Sequence, residues 1–571
     1  MDFSRRKTLG LIALGGAAAC TTTNHADVEN PATHVEAAPA KAKHFLHGVA
    51  SGDPRHDSVV LWTRASNVDD LSLVTWEIAT DKAFENLLAA GESVAKAEND
   101  FTIKVIGQGL KPGATYYYRF TTHEEKSPVG RTKTLPVGAL DKLGVALVSC
   151  SNYPFGFFNA YAEIAKDEAI DVVLHTGDYI YEYGGADGWG HETGATLKRT
   201  HAPAHEIVSL ADYRMRHAQY KSDKGSQAMH AAHPLLCIWD DHESANNPWK
   251  DGAQNHQPET EGDWPTRRAA SLKAYYEWMP IREPEDGMTR EQAWRSYSFG
   301  DLATLVTMES RHTARGEQID YAHYAEAINS WEEREAFMQD VVNAPRAMIS
   351  KEMEDEFRSS FGQSVQAGQP WRIVGSASPI ARMLTPNIAE HGITPDMNKA
   401  TPEGTPPSLG TQALFWKGQW NLPFYTDTWD GYPRAREEFY DVCQEVGATD
   451  LFFLTGDSHS FWANTLADED GKAMGVEIGT AGVTSPGDFV ESGWPDDVAE
   501  KLDRVFEQEL DEVRWTDNMH QGYVRVVYRR DTATVDYVAM DTVLAPDYRA
   551  KTIRTEHIVR VGNSIGYKDQ A

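Results

Sequence analysis

Asp178 closes an apolar run, "IDVVLHTGD", and Tyr181 stands three residues beyond it in "GDYIYEY". A lone acid after such a run means little, because turns favour Asp. The arrangement recurs, however. "LGVALVSC" ends at Cys150, "HPLLCIWDDHE" reaches Asp240, Asp241 and His242, and "TDLFFLTGDSH" reaches Asp457 and His459. The carboxylates offer hard oxygen ligands and the imidazoles offer nitrogen. A cysteine offers thiolate once a metal lowers its pKa. A phenol, with an ordinary pKa of about 10, becomes a ligand only at a strongly Lewis-acidic centre. Tyr, Cys, His and Asp together suit ferric iron better than magnesium, and a neighbouring site rich in Asp and Asn suits a hard divalent ion such as calcium. Cations a few ångströms apart, bridged by one carboxylate, form a clamp for phosphoester hydrolysis.

Groups spread from position 150 to position 459 need a scaffold that brings the chain back repeatedly to one edge. From Leu143 onward, buried strand-like runs alternate with helical ones. "FFNAYAEIAKD" has helical apolar spacing, and "DLATLVTMES" and "WRIVGSAS" read as further strands. This predicts a layered α/β domain over residues 143–545, with functional groups at the carboxyl ends of strands. Residues 43–137 read as all-β: "SVVLWTRA", "LVTWEIAT" and "FTIKVIGQGL" are separated by polar turns. There "GLKPGATYYYRF" resembles the tyrosine corner of fibronectin type III-like sandwiches. This unit is expected to position rather than catalyse. Residues 313–369 read as charged and helical, 385–411 as a loop or lid, and 546–571 as a C-terminal extension.

The chain has 571 residues, of which 41% are apolar, enough for a large packed core. Its 85 acidic and 54 basic residues give a formal charge of −31. Such a chain repels nucleic acid, so no nucleic-acid binding is expected, and an anionic substrate must be drawn in by local positive charge, which a bound metal would supply. "MDFSRRKTLGLIALGGAAAC" places Arg5 and Arg6 before an apolar stretch too short to span a bilayer. Residues 1–42 therefore read as a Tat-type signal and linker. The Tat translocon is the expected partner, and the periplasm, the cell surface or the medium the expected location. Cleavage after Ala19 would leave Cys20 first and open to a lipid anchor, although Ala17 stands where a lipobox usually has Leu. Four cysteines make no disulfide framework, and Cys237 and Cys443 read as buried small hydrophobes.

"GDYIY", "WDDHE", "ANN" and "GDSH", in that order, resemble the calcineurin-like metallophosphoesterases and, within them, the PhoD-like alkaline phosphatases and phosphodiesterases. "ASGDP", "LWTR", "SCSNY", "WDGYPRAR" and "VTSPG" extend the resemblance over nearly all of the chain that follows the signal. It implies a four-layered α/β sandwich preceded by a small fibronectin type III-like β-sandwich. It also implies ferric iron (Fe3+) and calcium (Ca2+) as cofactors. By that resemblance Asp178 bridges the metals, Tyr181 and Cys150 bind iron, and Asp241 falls at the second metal. Asp457 and His459 match a terminal His-x-His pair in which Asp replaces the first His, itself a reason to expect calcium. His242 matches a proton donor or phosphate-contacting imidazole. Asn246 or Asn247 would add an oxygen ligand or a phosphate contact. Arg311 keeps its place in "MESRHTARGEQ" although its neighbours differ from the family's, which bears on substrate choice more than on chemistry.

The implied reaction is hydrolysis of phosphate mono- or diesters by a metal-activated hydroxide, with His242, Asn247 and Arg311 as the catalytic candidates. An alternative is a phosphodiesterase acting mainly on phospholipid or polyol-phosphate diesters. A non-enzymatic calcium-binding surface protein would use oxygen ligands only and leaves the thiol, phenol and imidazoles without a purpose. A purple acid phosphatase proper would keep the His-x-His pair that Asp457 breaks.

Overall fold

The computed structural model describes residues 43–398 and 410–570, so the signal segment and Cys20 lie outside the described residues. Two large sheets pack face to face. The first has ten strands, and its parallel middle strands are Leu143–Val148, Val172–His175 and Leu235–Cys237. The second has seven strands around the parallel set Ala303–Met308, Trp371–Ser376, Leu451–Thr455 and Ala473–Gly479. Between the sheets, Val145, Leu147 and Leu174 meet Leu305, Ile373 and Phe452. On the outer side of the first sheet, Ala146, Val148 and Val173 pack against Phe158, Tyr161 and Tyr220. On the outer side of the second, Val306, Val374 and Phe453 pack against Phe357, Phe361 and Phe439 of helices Lys351–Gln366 and Pro433–Glu445. The result is four layers, helix on sheet on sheet on helix. Strands covered on both faces must be apolar at every position, which is why they read as continuous runs rather than alternating ones.

The N-terminal β unit packs strands Leu87–Ala95, Ser72–Ala79, Thr115–Thr121 and Gly130–Lys133 over a core that includes Val59, Leu61, Val74, Ile78 and Phe120. Tyr116 supplies the expected corner, its hydroxyl accepting the Lys111 N–H at 2.7 Å. The unit is not separate from the α/β layers. Strand Val49–Gly52 runs parallel to Leu235–Cys237, so it carries Ser58–Arg64 and Thr102–Gln108 into the ten-stranded sheet. The junction needs Gly52, because a Cβ there would stand 2.6 Å from the carbonyl oxygens of both Leu235 and Pro280. At the other edge, residues read as an extension form strands Ala550–Val561 and Ser564–Tyr567 of the same sheet. No helix among the described residues is long and apolar enough to cross a membrane.

Candidate active site

The strand ends carrying the candidate groups converge where the two sheets are stitched together. Ser149, just past strand Leu143–Val148, bridges Gly482 of the loop leaving the second sheet, and Val483 N–H donates to its carbonyl at 3.0 Å. There the backbone turns sharply. Cys150, Asp178, Asp457 and His459 have φ of 58°, 56°, 65° and 55°, and Asn247 has 49°. Left-handed backbone costs a non-glycine residue roughly 1–2 kcal/mol, least for Asp and Asn, and persists only where surrounding contacts over-determine it. Those contacts are present. Cys150 N–H donates to Gly177 O at 3.3 Å and Ser151 N–H to Asp178 O at 3.0 Å. The buried Glu243 carboxylate accepts the N–H groups of Asp178, Tyr179 and Asp240 at 3.1, 2.5 and 2.8 Å, tying two strand ends together.

The loop at Asp178 also depends on Gly177, whose φ is +101°. A Cβ there would fall on the backbone of Asp240. Gly177→Ala is therefore expected to destabilise the fold by about 2 kcal/mol or more, read by denaturant unfolding. It should also lower activity, because it separates Asp178 from Asp240 and Asp241.

The side chains form two groups with one member in common. Ligand-capable atoms of Cys150, Asp178 and His459 lie within 4.8 Å of one another, and so do those of Asp178, Asp241 and His242. Tyr181 caps the first group. Its hydroxyl donates to Asp178 Oδ2 at 3.0 Å and lies 3.4 Å from His459 Nε2 and 2.9 Å from Ser485 Oγ. An adjoining set joins Asp240, Asp241 and Asp457 within the same limit. All of these except Asp457 are buried.

So much buried acid is held by few cations. Burial, and then the neighbouring carboxylates, push Asp178 and Asp457 well above the usual carboxylate range. Burial and then Asp178 likewise raise the Cys150 thiol and the Tyr181 phenol. Asp240 is raised to about 6 by burial against the pull of Arg311. Burial would raise Asp241 too, but His242 and Arg311 outweigh it and hold that carboxyl below its ordinary range. Burial alone would lower His242, and Asp241, Glu182 and Asp178 more than offset it. Cations among these groups would relieve the repulsion, and the donor set of thiol, phenol, imidazole and carboxylates fits them.

The sequence-derived residues Cys150, Asp178, Tyr181, Asp241, His242, Asp457 and His459 are thus brought together. Between the two asparagines the structure is selective. Asn246 turns its amide to Gln254 Oε1 at 2.8 Å, away from the site. Asn247 donates its backbone N–H to Asp241 Oδ2 at 2.9 Å, and its side-chain nitrogen, turned to the acids, lies 3.3 Å from Asp241 Oδ2 and 3.0 Å from Asp427 Oδ2. Arg311 lies among the acids, and its Nη1 and Nη2 are buried without a hydrogen-bond partner. Its guanidinium is fully buried, donates to Asp240 Oδ1 at 2.6 Å, and lies 3.5 Å from Asp427 and 3.6 Å from Asp457. It offsets the charge of those acids. His175 holds the turn rather than joining the groups. Its Nδ1 lies 3.3 Å from Gly177 N and its Nε2 2.7 Å from Tyr161 OH.

Several functional residues escaped the sequence reading. Glu182, adjacent to Tyr181, binds His242 Nδ1 at 2.7 Å and also accepts Asn246 N–H and Asn255 Nδ2. That leaves His242 Nε2 facing Asp241 Oδ2 at 3.9 Å. Asp427, just ahead of "WDGYPRAR", joins Asn247 and Arg311. Trp189 stacks on His459, with centroids 5.5 Å apart and planes 15° apart. Only the adjacency of Glu182 to the "GDYIY" motif could have flagged any of these.

Comparisons with known proteins bear on the family and the fold. Residues 145–537 match the PhoD-like phosphatase family, and residues 30–136 match the PhoD-like phosphatase N-terminal domain. An alkaline phosphatase D of Bacillus subtilis (strain 168) is 34% identical over 536 residues, 90% of this chain and 81% of that one. A solved structure of PhoD superposes with a TM-score of 0.72 at 29% identity, covering 93% of each chain. The purple acid phosphatase PPD1 from yellow lupin (Lupinus luteus) seeds shares the fold, with a TM-score of 0.50 at 11% identity over 90% of this chain and 74% of that one.

Proposed function

This chain belongs to the PhoD-like phosphatase family and is a phosphoric ester hydrolase of the alkaline phosphatase D type, and we propose that it is an exported, metal-dependent enzyme for phosphate mono- and diesters. The observation that carries the metal dependence is Asp178, one carboxylate common to two metal-capable groups. Cys150, Tyr181 and His459 with Asp178 would hold ferric iron, by the softness and acidity of their donors. Asp178 again, with Asp241, Asp240 and Asp457, which offer oxygen, would hold calcium, and Asn247 would join them once its amide turns its oxygen inward. Bound there, the cations supply an acidified water near neutral pH and stabilise charge on the phosphoryl oxygens.

The chain's own groups do the rest. Asp178 and Asp241 fix the spacing of the two groups. Glu182 holds His242 by Nδ1, so that Nε2 can pass a proton to the departing alkoxide. Arg311, through Asp240, keeps the acids in register. Tyr181 and Tyr183 pack against the His242 ring, with centroids at 4.3 and 5.3 Å, and exclude water from its faces. Export rests on Arg5 and Arg6 ahead of the apolar stretch, and Cys20 offers a lipid attachment point.

Elemental analysis of the purified protein is expected to find iron and calcium together. Turnover of p-nitrophenyl phosphate and bis(p-nitrophenyl) phosphate should be lost with a chelator and regained on adding both ions. Calcium alone with no turnover would remove the iron ligands from the scheme and favour a structural calcium site. The ratio of the two rates separates monoesterase from diesterase.

A further inference from the structure

We propose that Lys221 is a positioning residue for the reacting centre: from behind the first sheet its buried amine holds the Tyr179 side chain, and through it the turn that carries Asp178. The proposal rests on the phosphatase reading above, in which Asp178 is the shared carboxylate. Lys221 ends helix Leu210–Lys221 and is 1% exposed. Its Nζ donates to the Tyr179 hydroxyl at 3.2 Å and lies 2.9 Å from His230 Nε2. The same hydroxyl meets Ser226 Oγ at 3.1 Å and His230 Nε2 at 2.9 Å, both on helix Lys224–Ala232. Trp62, in the "LWTR" run of the N-terminal β unit, closes the cluster with its ring centroid 5.0 Å from Nζ.

Among the described residues no carboxylate bonds this amine. Asp223, two positions on, pairs with Arg199 and accepts the N–H groups of Gly225 and Ser226. Burial lowers the pKa of Lys221 to about 7, with Cys237 opposing. A buried amine without a counter-ion costs free energy that an apolar side chain of similar length would not. Methionine would fill the space, but it could not hold the Tyr179 hydroxyl.

Tyr179 is where such a hold matters. Its backbone N–H donates to Glu243 at 2.5 Å, and its carbonyl accepts Ser151 Oγ at 3.0 Å, next to Cys150. Two bonds on the backbone leave the turn free to rotate about the line that joins them. The hydroxyl, anchored on the helix layer, is a third point and removes that rotation. Asp178 directly precedes Tyr179, with a φ of 56°, so the direction of its carboxylate follows the turn. A misplacement of about 1 Å costs roughly 10² in rate.

The test assays p-nitrophenyl phosphate and bis(p-nitrophenyl) phosphate with iron and calcium in excess. Lys221→Met is expected to lower kcat about ten- to a hundredfold on both esters, with KM changed less than about twofold and the melting temperature lowered by no more than about 3 °C. Tyr179→Phe, which removes only the hydroxyl, should lower kcat in the same way. The double variant should lose no more than the worse single one, because both break one link. Unchanged kcat in Tyr179→Phe would overturn the proposal, even if Lys221→Met failed to fold. Additive losses would overturn it too, since Lys221 would then act by another route. A fall in rate that only tracks a fall in melting temperature would make Lys221 a stability residue and overturn its positioning role. In each of these cases turnover by the wild-type protein leaves the phosphatase reading intact. No turnover of either ester by the wild-type protein would overturn both.

Discussion

Asp178→Asn is expected to lower kcat by about a thousandfold or more on every substrate, with the fold retained. Asp178 is the one side chain in both ligand groups, and it also accepts the Tyr181 hydroxyl at 3.0 Å and the His242 N–H at 3.3 Å. Removing one preorganised charge-stabilising group in other enzymes costs about 10²–10³ in kcat, and here one substitution weakens both groups. Asn keeps the shape and one acceptor oxygen, so misfolding is not the expected cause of the loss. Stability separates the two explanations. The folded-state pKa of Asp178 is raised, so in cation-free protein its contribution favours the fold at low pH and is lost as pH rises through that value. Asp178→Asn removes this penalty. In the presence of chelator, the variant should melt no lower than the parent above neutral pH, while its iron content falls. A variant that melts well below the parent under chelator would show that Asp178 acts by holding the fold, and would withdraw its bridging role.

His242→Gln should have an effect that depends on the leaving group. For alkyl phosphates, whose alkoxide needs a proton, a drop in kcat of about 10²–10⁴ is expected. For p-nitrophenyl esters, whose phenolate leaves without one, the drop should be less than about tenfold by the same reasoning. The pH dependence follows in sign. Asp241, Glu182 and Asp178 hold His242 protonated above its ordinary range against the effect of burial. The rate on alkyl esters should fall as pH rises through that raised pKa, and the variant should lack this limb. Glu182→Gln should weaken the same limb, because Glu182 is the partner of Nδ1. An equal loss on both ester types would mean that His242 contacts phosphate rather than the leaving group.

The doubly buried strands were readable because each carries its own evidence. "VALV", "VVLH" and "LFFLT" are apolar on both faces, and the polar residue that ends each run marks a strand end. The Tyr116 corner was readable for a similar reason, since its partner is only five residues away. The continuity of the N-terminal β unit with the large sheet was not, because it depends on Gly52 meeting Leu235 across 183 positions of chain. The residues around the site divide in the same way. Asn246 and Asn247 are equivalent in sequence, and a left-handed turn at Asn247 decides which one faces the acids. Arg311 is one arginine in a charged stretch of sequence, and only the fold places its guanidinium among Asp240, Asp427 and Asp457.

By itself, then, the sequence determined the layered α/β class, the family, and the donor residues Cys150, Asp178, Tyr181, Asp241, His242, Asp457 and His459. Each is marked by local order, an apolar run followed closely by groups able to bind metal. Only the tertiary structure decided that Asp178 is shared, that Glu182 holds His242, and that Glu243 ties two strand ends. The physical reason is that an acid's role depends on its burial and its partners. In sequence, a carboxylate locked under three N–H groups is indistinguishable from one in water.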